Sequence, residues 1–588
     1  MRWIIRSQDS EKRLGIGLTP LVERLLASRG INTPAAAQEF LHPHLSYLHS
    51  PYLMLGMKGA VERVRKAINA REKILIYGDY DVDGTVAIVI LKTAIEICGG
   101  HADFHIPHRI RDGYGMKDEV IEEAAADGVQ LVVSVDTGIR AFAAAETARR
   151  AGVDLIVTDH HLAEGEEVPH ALAVLNPNQR GCGYPCKELC GAGVAFKLAQ
   201  ALLEENRSQR LIPSFLKMVA IATIADAVPL TGENRVFTKL GLNGLRSPAN
   251  HGLRALLRVA GFAEGSRTLT AGDVGFRLGP RLNAAGRMDV AHDVIELFTT
   301  RNEARATEIA EKLDQLNATR QQEEARITQE IEAFFEKNPR RREPHCLVLD
   351  GEGWHRGVIG IVATRVVERH NRPALVIARD GESGQAHGSG RSIAAFHLLA
   401  ALEQENCRQL FTRFGGHAHA VGFSLPSLKI EELRSTLESY AGVHLSRADL
   451  EPVVEADAEV SADDITSEVM HQLAQLEPFG RGNPEPLFML RGARICQETR
   501  VLKQKHLKLR IGCAAQGGER FFDALGWHMA ERLQAVPLSV GDSLDLVFSP
   551  EQNSNPEFPG IQLVLRDFRV ANQSRSLEES REKIATSV

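Results

Sequence analysis

The sequence predicts an α/β multidomain chain that ends in a small β-barrel. Three observations carry this reading. Between about residues 60 and 160, apolar β-branched runs alternate with helical segments, the pattern of a doubly wound, mostly parallel sheet. Near residue 300, about 36 residues pass without a glycine, and without a proline before the end, which reads as one long connecting helix. After about residue 452, short strands separated by turn residues replace the helical pattern.

The elements follow in chain order. Residues 1–50 read as an N-terminal helical and loop segment without obvious chemistry. The first α/β domain spans 51–298. In it the helix "AVERVRKAINAR" leads to the strand "KILIYG", and Thr85–Cys98, apolar and free of Gly and Pro, reads as a buried helix. A helix near 118–127, the strand "VQLVVSVDTG", the helix "RAFAAAETARRAG" and the strand "VDLIVTDHH" come next. Ala192 to about Leu245 reads helical and contains "AIATIADAVPL". The connecting helix spans 299–339. Thr300 and Glu303 fit a capping box, Asn338-Pro339 is a stop signal, and the rise per residue makes it ~54 Å long. A second, smaller α/β domain, 340–447, has the strands "HCLVLDG" and "PALVIARD" and two glycine-rich stretches, "HGSGRS" and "FGGHAHAVGFS". Residues 450–570 read as a barrel of OB-fold type, and 571–588 as a polar, disordered tail.

Composition narrows the class. The 588 residues, 44% hydrophobic and 25% charged, suit a soluble protein of about three or four domains. No stretch is apolar and long enough to span a bilayer, and the N-terminus lacks the pattern of a secretory signal. Eight cysteines without a regular framework point to a reducing compartment, so a cytoplasmic location with no membrane partner is expected. The net charge of −7 argues against a general nucleic-acid coater. It does not argue against nucleic acid, because acids at a metal site can mask a basic groove.

The chemistry begins at "IYGDYDVDGT". Alternating Asp79, Asp81 and Asp83 before Gly84 suggest a calcium loop, but the position that should supply a bidentate glutamate is Ile90. A strand rather than a helix precedes the acids, so they sit at a strand exit of an open sheet. Asp136 and Asp159-His160-His161 occupy the next exits, and Asp226 lies inside an apolar helical run. Carboxylates with one or two imidazoles suit a pair of Mn²⁺ or Mg²⁺ ions, and such pairs hydrolyse phosphate esters. Asp136, which ends the middle motif, is the expected shared carboxylate. Adjacent histidines in an extended segment point to opposite sides, so one of His160 and His161 should bind metal while the other serves the phosphate or a supporting contact.

Candidate anion binders lie further on. "FRLGPRLNAAGRMD" supplies Arg277, Arg281, Asn283 and Arg287 among small residues. "HGSGRS" offers Ser389 and Arg391 in a backbone able to form an anion nest. In "FGGHAHA", Gly416 and His417 allow close approach to a nucleotide. In the barrel, His506, Lys508 and Arg510 share one face of "KHLKLRIG", with Phe521 and Trp527 nearby in sequence; the face suits a single strand, or is simply solvated. Cys182, Cys186 and Cys190 lack a fourth ligand at recognisable spacing and are read as structural.

"GDYDVDG", "SVDTG", "TDHH" and "ATIAD", in that order, resemble the four motifs of the DHH phosphoesterase family. "WHRGVIGIVATRV", "GSGRS" and "FGGHAHAVGF" resemble its DHHA1 domain. With the long helix, "RLNAAGRM" and the barrel, the arrangement is similar to the family's single-stranded-DNA exonucleases. The resemblance implies 5′→3′ release of mononucleotides with Mn²⁺ or Mg²⁺. It also implies work in recombinational, mismatch and base-excision repair and at stalled forks, beside a RecQ-type helicase and a single-strand-binding protein. By position it implies Asp79, Asp81, Asp83, Asp136, His160 and Asp226 as metal ligands, with Asp136, His160 and His161 as catalytic residues. Arg109, Ser389 and Arg391 match a pocket for the 5′ end, and Arg281 and His417 match substrate contacts. Two rivals stand beside this reading: a family enzyme for pyrophosphate, short oligonucleotides or cyclic dinucleotides, and a non-catalytic binding module. The barrel and long helix argue against the first, the intact acids against the second.

Overall fold

The structure is a computed structural model that describes residues 1–6, 14–109, 111–113, 115–163, 165–263, 265, 267–288, 291–553 and 560–571. The tail expected to be disordered lies almost wholly outside the described residues. The chain divides into two compact units, one holding 48–228 and 232–452, the other 1–47, 229–231 and 453–588.

The elements of the N-terminal half are β1 (Arg2–Ile5), α1 (Pro20–Ser28), α2 (Pro34–Leu41), α3 (Met57–Ala70), β2 (Lys73–Tyr77), α4 (Val82–Ile97), β3 (Ala102–His105), α5 (Asp118–Ala126), β4 (Val129–Val135), α6 (Phe142–Ala151), β5 (Asp154–Thr158), β6 (Ala173–Leu175), α7 (Gly191–Glu205), α8 (Ile212–Ala225) and α9 (Gly232–Gly244). In the first unit, five strands form a parallel sheet in the order β3-β2-β4-β5-β6. The chain leaves β2 toward β3 on one side and returns to β4 on the other. That reversal opens a crevice at the carboxyl ends of β2 and β4, where open α/β sheets place their ligands. α4 is apolar all round, because it is buried against α7 and α8.

The glycine-free segment is a single helix, Glu303–Lys337. Its N-cap is Asn302, whose Oδ1 accepts the Arg305 amide at 3.2 Å, rather than the expected Thr300. Asn caps as well as Thr does, and Thr300 instead accepts the Asn302 amide. Ala306, Ile309, Ala310 and Leu313 bury its first half, while Ile327, Ile331 and Phe335 join the core of the second α/β domain.

That domain has a five-stranded mixed sheet built from β7 (Leu347–Glu352), β8 (Ala374–Arg379), β9 (Gln385–Arg391), β10 (Arg413–His417) and β11 (Ala420–Pro426), in the order β10-β11-β9-β8-β7. The glycine-rich stretches are therefore strands. β9 pairs on both sides, so its amides belong to the sheet and "HGSGRS" forms no backbone nest. Its glycines serve packing: a Cβ on Gly388 would lie 2.0 Å from the Phe423 ring.

The second unit joins both chain ends. β1 pairs in parallel with β12 (Val453–Ala456). After β13 (Ala458–Glu459) come β14 (Phe488–Ile495), β15 (Arg500–Leu502), β16 (His506–Ala515), β17 (Gly518–Gly526), β18 (Ser543–Gln552) and β19 (Ile561–Val570). The run β14-β18-β19-β17-β16 closes into a barrel through a second β14–β16 pairing. Leu21, Val22, Leu25 and Leu26 of α1 share the core that fills it, so the N-terminal segment is part of this unit.

Candidate metal centre and anion pocket

The metal centre is built at three strand exits and one helix end. Asp79 follows β2 and is 5% exposed. Asp81 caps α4, its Oδ1 accepting the Gly84 amide at 3.0 Å. Asp83 lies in the first turn of α4, its two oxygens accepting the amides of Gly191 at 2.6 Å and Ala192 at 2.8 Å. Asp136 follows β4 with φ at +57°, a left-handed conformation costly for a residue with a Cβ and typical of functional sites. Asp226 caps the end of α8. His160 Nε2 stands 3.2 Å from Asp136, 3.8 Å from Asp83 and 3.8 Å from Asp226. Three sets of donor atoms thus gather within 4.8 Å, Asp83–His160–Asp226, Asp79–Asp81–Asp136 and Asp136–His160–His161, so Asp136 and His160 each belong to two of them.

Electrostatics make this cluster unstable on its own. Burial, then the charge of Asp81, pushes the Asp79 carboxyl up to about 8. Burial and Asp83 raise Asp81, and burial with Asp83, Asp81, Asp79 and Asp226 raises Asp136 well above the usual carboxylate range. Burial holds His160 below the usual histidine range, which favours the neutral, ligating imidazole. Asp79 Oδ1 is buried and accepts no hydrogen bond. Crowded carboxylates with an orphaned oxygen and a neutral imidazole fit a pair of hard divalent cations. Among the described residues, no cysteine joins these groups.

Asp159 stays outside these sets and plays a supporting part. It accepts the amides of His160 at 2.7 Å, His161 at 3.1 Å and Ile139 at 2.9 Å, and takes the Nδ1–H of His161 at 2.7 Å. It orients His161 instead of joining the metal sets. The bend it creates also keeps the two histidines together, with ring centres 4.4 Å apart, where an extended strand would have separated them. Burial alone would lower His161, but the Asp159 hydrogen bond and charge raise it overall.

Beside the acids lies a cluster of guanidiniums. Arg109 stacks over the Tyr80 ring, 4.9 Å from its centre. Arg391 Nη1 donates to Ser389 Oγ at 3.1 Å and to the Gly390 carbonyl. Arg287 donates to the Gly357 carbonyl at 3.0 Å. Burial pushes Arg287 down to about 9, with Arg109, Arg320 and Arg391 adding to the effect. Burial and Arg109 lower Arg391 as well. Among the described residues, no carboxylate forms an ion pair with Arg109, Arg287 or Arg391. Three such cations facing one another form an anion pocket.

Other candidates are placed differently. Asn283 Oδ1 accepts the Val82 amide at 3.1 Å and so fixes the start of α4. Arg281 donates to Asp314 at 2.8 Å and ties its helix to the long one. Arg277 stacks on Phe262, 3.9 Å from the ring centre, and donates to the Ala260 carbonyl, which commits it to packing. Gly416 takes φ +143°, where a Cβ would meet the Ala420 carbonyl at 2.2 Å. With His417 it lines a cavity of 810 Å³ that also holds Asp159, His160, His161, Arg140 and Lys187. In the barrel, His506, Lys508 and Arg510 alternate with buried Leu507, Leu509 and Ile511. Asp523 pairs with Lys508 at 3.1 Å and Arg510 at 2.9 Å, which tempers the basic face, while Phe521 and Trp527 are about half exposed.

Sequence reasoning named one feature without singling it out and missed another. Arg287 stood among the candidate anion binders of one stretch, and nothing in the sequence set it apart from Arg277, Arg281 and Asn283. The N-terminus of α7 lies more than a hundred residues from the acid it holds, so only the fold reveals it.

Comparison with known proteins identifies the domains that carry these residues. Residues 73–223 match the N-terminal domain of the DHH family, 343–442 the DHHA1 domain and 456–567 the RecJ OB domain. The single-stranded-DNA-specific exonuclease RecJ of Bacillus subtilis is 37% identical over 577 residues, covering 97% of this chain and 71% of that one. RecJ of Thermus thermophilus in complex with Mn²⁺ superposes with a TM-score of 0.81 at 28% identity, covering 97% of this chain and 79% of that one. Its Mg²⁺ complex gives 0.75 at 27%, covering 97% and 78%. The three matched domains thus recur together in one chain, and the chain belongs to the RecJ family of the DHH phosphoesterases.

Proposed function

We propose that this chain is a metal-dependent exonuclease that removes 5′-mononucleotides from single-stranded DNA in the 5′→3′ direction. The observation that carries the reading is the juxtaposition of crowded carboxylates with a pocket of guanidiniums that lack acidic partners. Asp79, Asp81 and Asp136 would hold one Mn²⁺ or Mg²⁺, and Asp83, Asp226 and His160 would hold the other. Bound there, such ions would supply Lewis-acid activation of water and offset charge on the leaving oxygen.

The chain's own residues do the rest. Arg109, Arg391, Ser389 and Arg287 receive the terminal 5′ phosphate, which sets the direction of cleavage. Asp159 fixes the Nδ1–H of His161, so its Nε2 faces the reacting phosphate and delivers a proton to the leaving 3′ oxygen. Water oxygen bonds to phosphorus as the bond from phosphorus to the 3′ oxygen breaks. The released nucleotide keeps a 3′ hydroxyl, and the shortened strand carries a new 5′ phosphate for the same pocket. Gly416 and His417 approach the strand from the second α/β domain, and the barrel's exposed aromatics add affinity for unpaired bases. The role is in recombinational, mismatch and base-excision repair and at stalled forks, beside a RecQ-type helicase and a single-strand-binding protein.

The test uses 3′-labelled single strands with Mn²⁺, one with a 5′ phosphate and one with a blocked 5′ end, beside a duplex. Stepwise shortening of the phosphorylated strand alone is expected. Cleavage of the blocked strand would overturn the roles given to Arg109, Ser389 and Arg391. No cleavage of any strand would overturn the nuclease reading.

A further inference from the structure

The opening turn of α7, Cys190-Gly191-Ala192-Gly193, reads in sequence as the end of an incidental cysteine cluster. In the fold it lies directly on the metal ligands. Gly191 and Ala192 donate one amide to each oxygen of Asp83, which fixes the plane of that carboxylate. α7 runs for 15 residues, and its N-terminal end carries positive partial charge toward the acid. Gly191 also leaves room for a second ligand: a Cβ there would stand 2.4 Å from Asp136 Oδ1 and 2.6 Å from its Cγ. Gly193 is under no such limit, since its nearest neighbour would be Leu189 at an ordinary 3.4 Å. Cys190 caps the turn, its Sγ accepting the Gly193 amide at 3.4 Å and lying 3.6 Å from Thr223 Oγ1 of α8, the helix that ends at Asp226.

We propose that the α7 N-terminus is a positioning element for the metal centre, with Gly191 as its limiting residue. Asp83 is aimed by amides that no side chain could replace, and Asp136 occupies space that only glycine leaves open. Cys190 supplies an uncharged cap where an aspartate, an equally good cap, would add another anion beside Asp83. The inference rests on the metal reading above.

The test is Mn²⁺ titration of the full chain, followed by electron paramagnetic resonance of free Mn²⁺, with thermal melts in EDTA and in Mn²⁺. Gly191→Ala is expected to weaken Mn²⁺ binding about tenfold or more, as loss of a supporting contact does. Its stabilisation by Mn²⁺ should shrink while its melt in EDTA stays near that of the unaltered chain. Gly193→Ala and Cys190→Ser should both bind as the unaltered chain does. If Gly191→Ala does not fold, Ala192→Pro decides: it removes one donor to Asp83 at a helix position that tolerates proline. Undiminished Mn²⁺ affinity in whichever of these variants folds would overturn the proposal. Absence of Mn²⁺ binding by the unaltered chain would instead overturn the metal reading beneath it.

Discussion

Two clusters of like charge stand side by side at the crevice, and they are opposite in almost every respect. The carboxylates of Asp79, Asp81 and Asp136 have pKa values pushed up, and the guanidiniums of Arg287 and Arg391 have theirs pushed down. Burial is the largest cause in both, and like charge deepens it. The acids have internal support: backbone amides hold Asp83, and a helix turn caps with Asp81. The arginines lean on carbonyls, a hydroxyl and the Tyr80 ring. The difference teaches what each awaits. The first suits cations and the second an anion, and under the proposed function a 5′-phosphorylated strand with its metals would supply both. Tyr80, between Asp79 and Asp81 with Arg109 on its face, joins the two.

The sharpest way to break the pair is to remove one side. Asp136→Ala takes a carboxylate that belongs to two of the three donor sets, and turnover should fall by at least about 10³-fold. Affinity for a 5′-phosphorylated strand in EDTA should persist, because the arginines are untouched. Loss of that affinity along with turnover would mean the two clusters are not separable.

The converse variant is Arg287→Ala. Removing one of the pocket's charge-assisted donors should weaken binding of the 5′-phosphorylated strand by roughly ten- to a hundredfold. Mn²⁺ affinity should hold, and Arg287→Lys should recover little, since a point charge does not reproduce the fork. Equal discrimination between phosphorylated and hydroxyl 5′ ends in Arg287→Ala and the unaltered chain would remove Arg287 from the pocket.

How much of this was legible in the sequence follows the same division. Most of the acids were legible because their runs begin at the exits of apolar strands, where alternation of strand and helix is a local signal, and Asp226 because a lone acid stands out in an apolar helical run. Asp159 had no role assigned from the sequence, because its part depends on a bend that only the amides of His160 and His161 reveal. "HGSGRS" suggested an anion nest, but its backbone is paired as a strand and Gly388 is small because Phe423 packs on it from the next strand. Arg281 and Arg277 carried the right chemistry and turned to Asp314 and Phe262, partners no spacing rule connects to them. The N-terminal segment reads as separate because its strand partner lies about 450 residues away, at Val453–Ala456.

That pairing changes how the barrel is probed. Deleting residues 453–570 would also strip β1 and α1 of their partners, so point variants are cleaner. Phe521→Ala with Trp527→Ala should weaken long single strands by about tenfold, from loss of base stacking. Turnover at saturating strand should stay within about twofold. An equal fall in turnover on dinucleotides, too short to need the barrel, would contradict that assignment.

The smallest effect distinguishes the two clusters by pH. The Asp79 carboxyl titrates near 3.8 when unfolded and near about 8 when folded. Its folded form therefore binds the proton more tightly. The stability it contributes is complete below the lower value, erodes as pH rises between the two, and is gone above about 8. Metal-free protein should accordingly melt at falling temperature across that range. Mn²⁺ binds the ionised acids, so its stabilising shift should grow with pH and level off past about 8, by a few degrees in all. Arg287 titrates in the opposite sense: folded below its ordinary value, it should add stability only as pH rises through the alkaline range near 9 and above. Melts with and without Mn²⁺, from about pH 5 to about pH 9, measure the first effect free of the second. A Mn²⁺ shift that stays constant over that range would mean the carboxylates are already ionised without metal, and the cluster would lose its claim to be waiting for a cation.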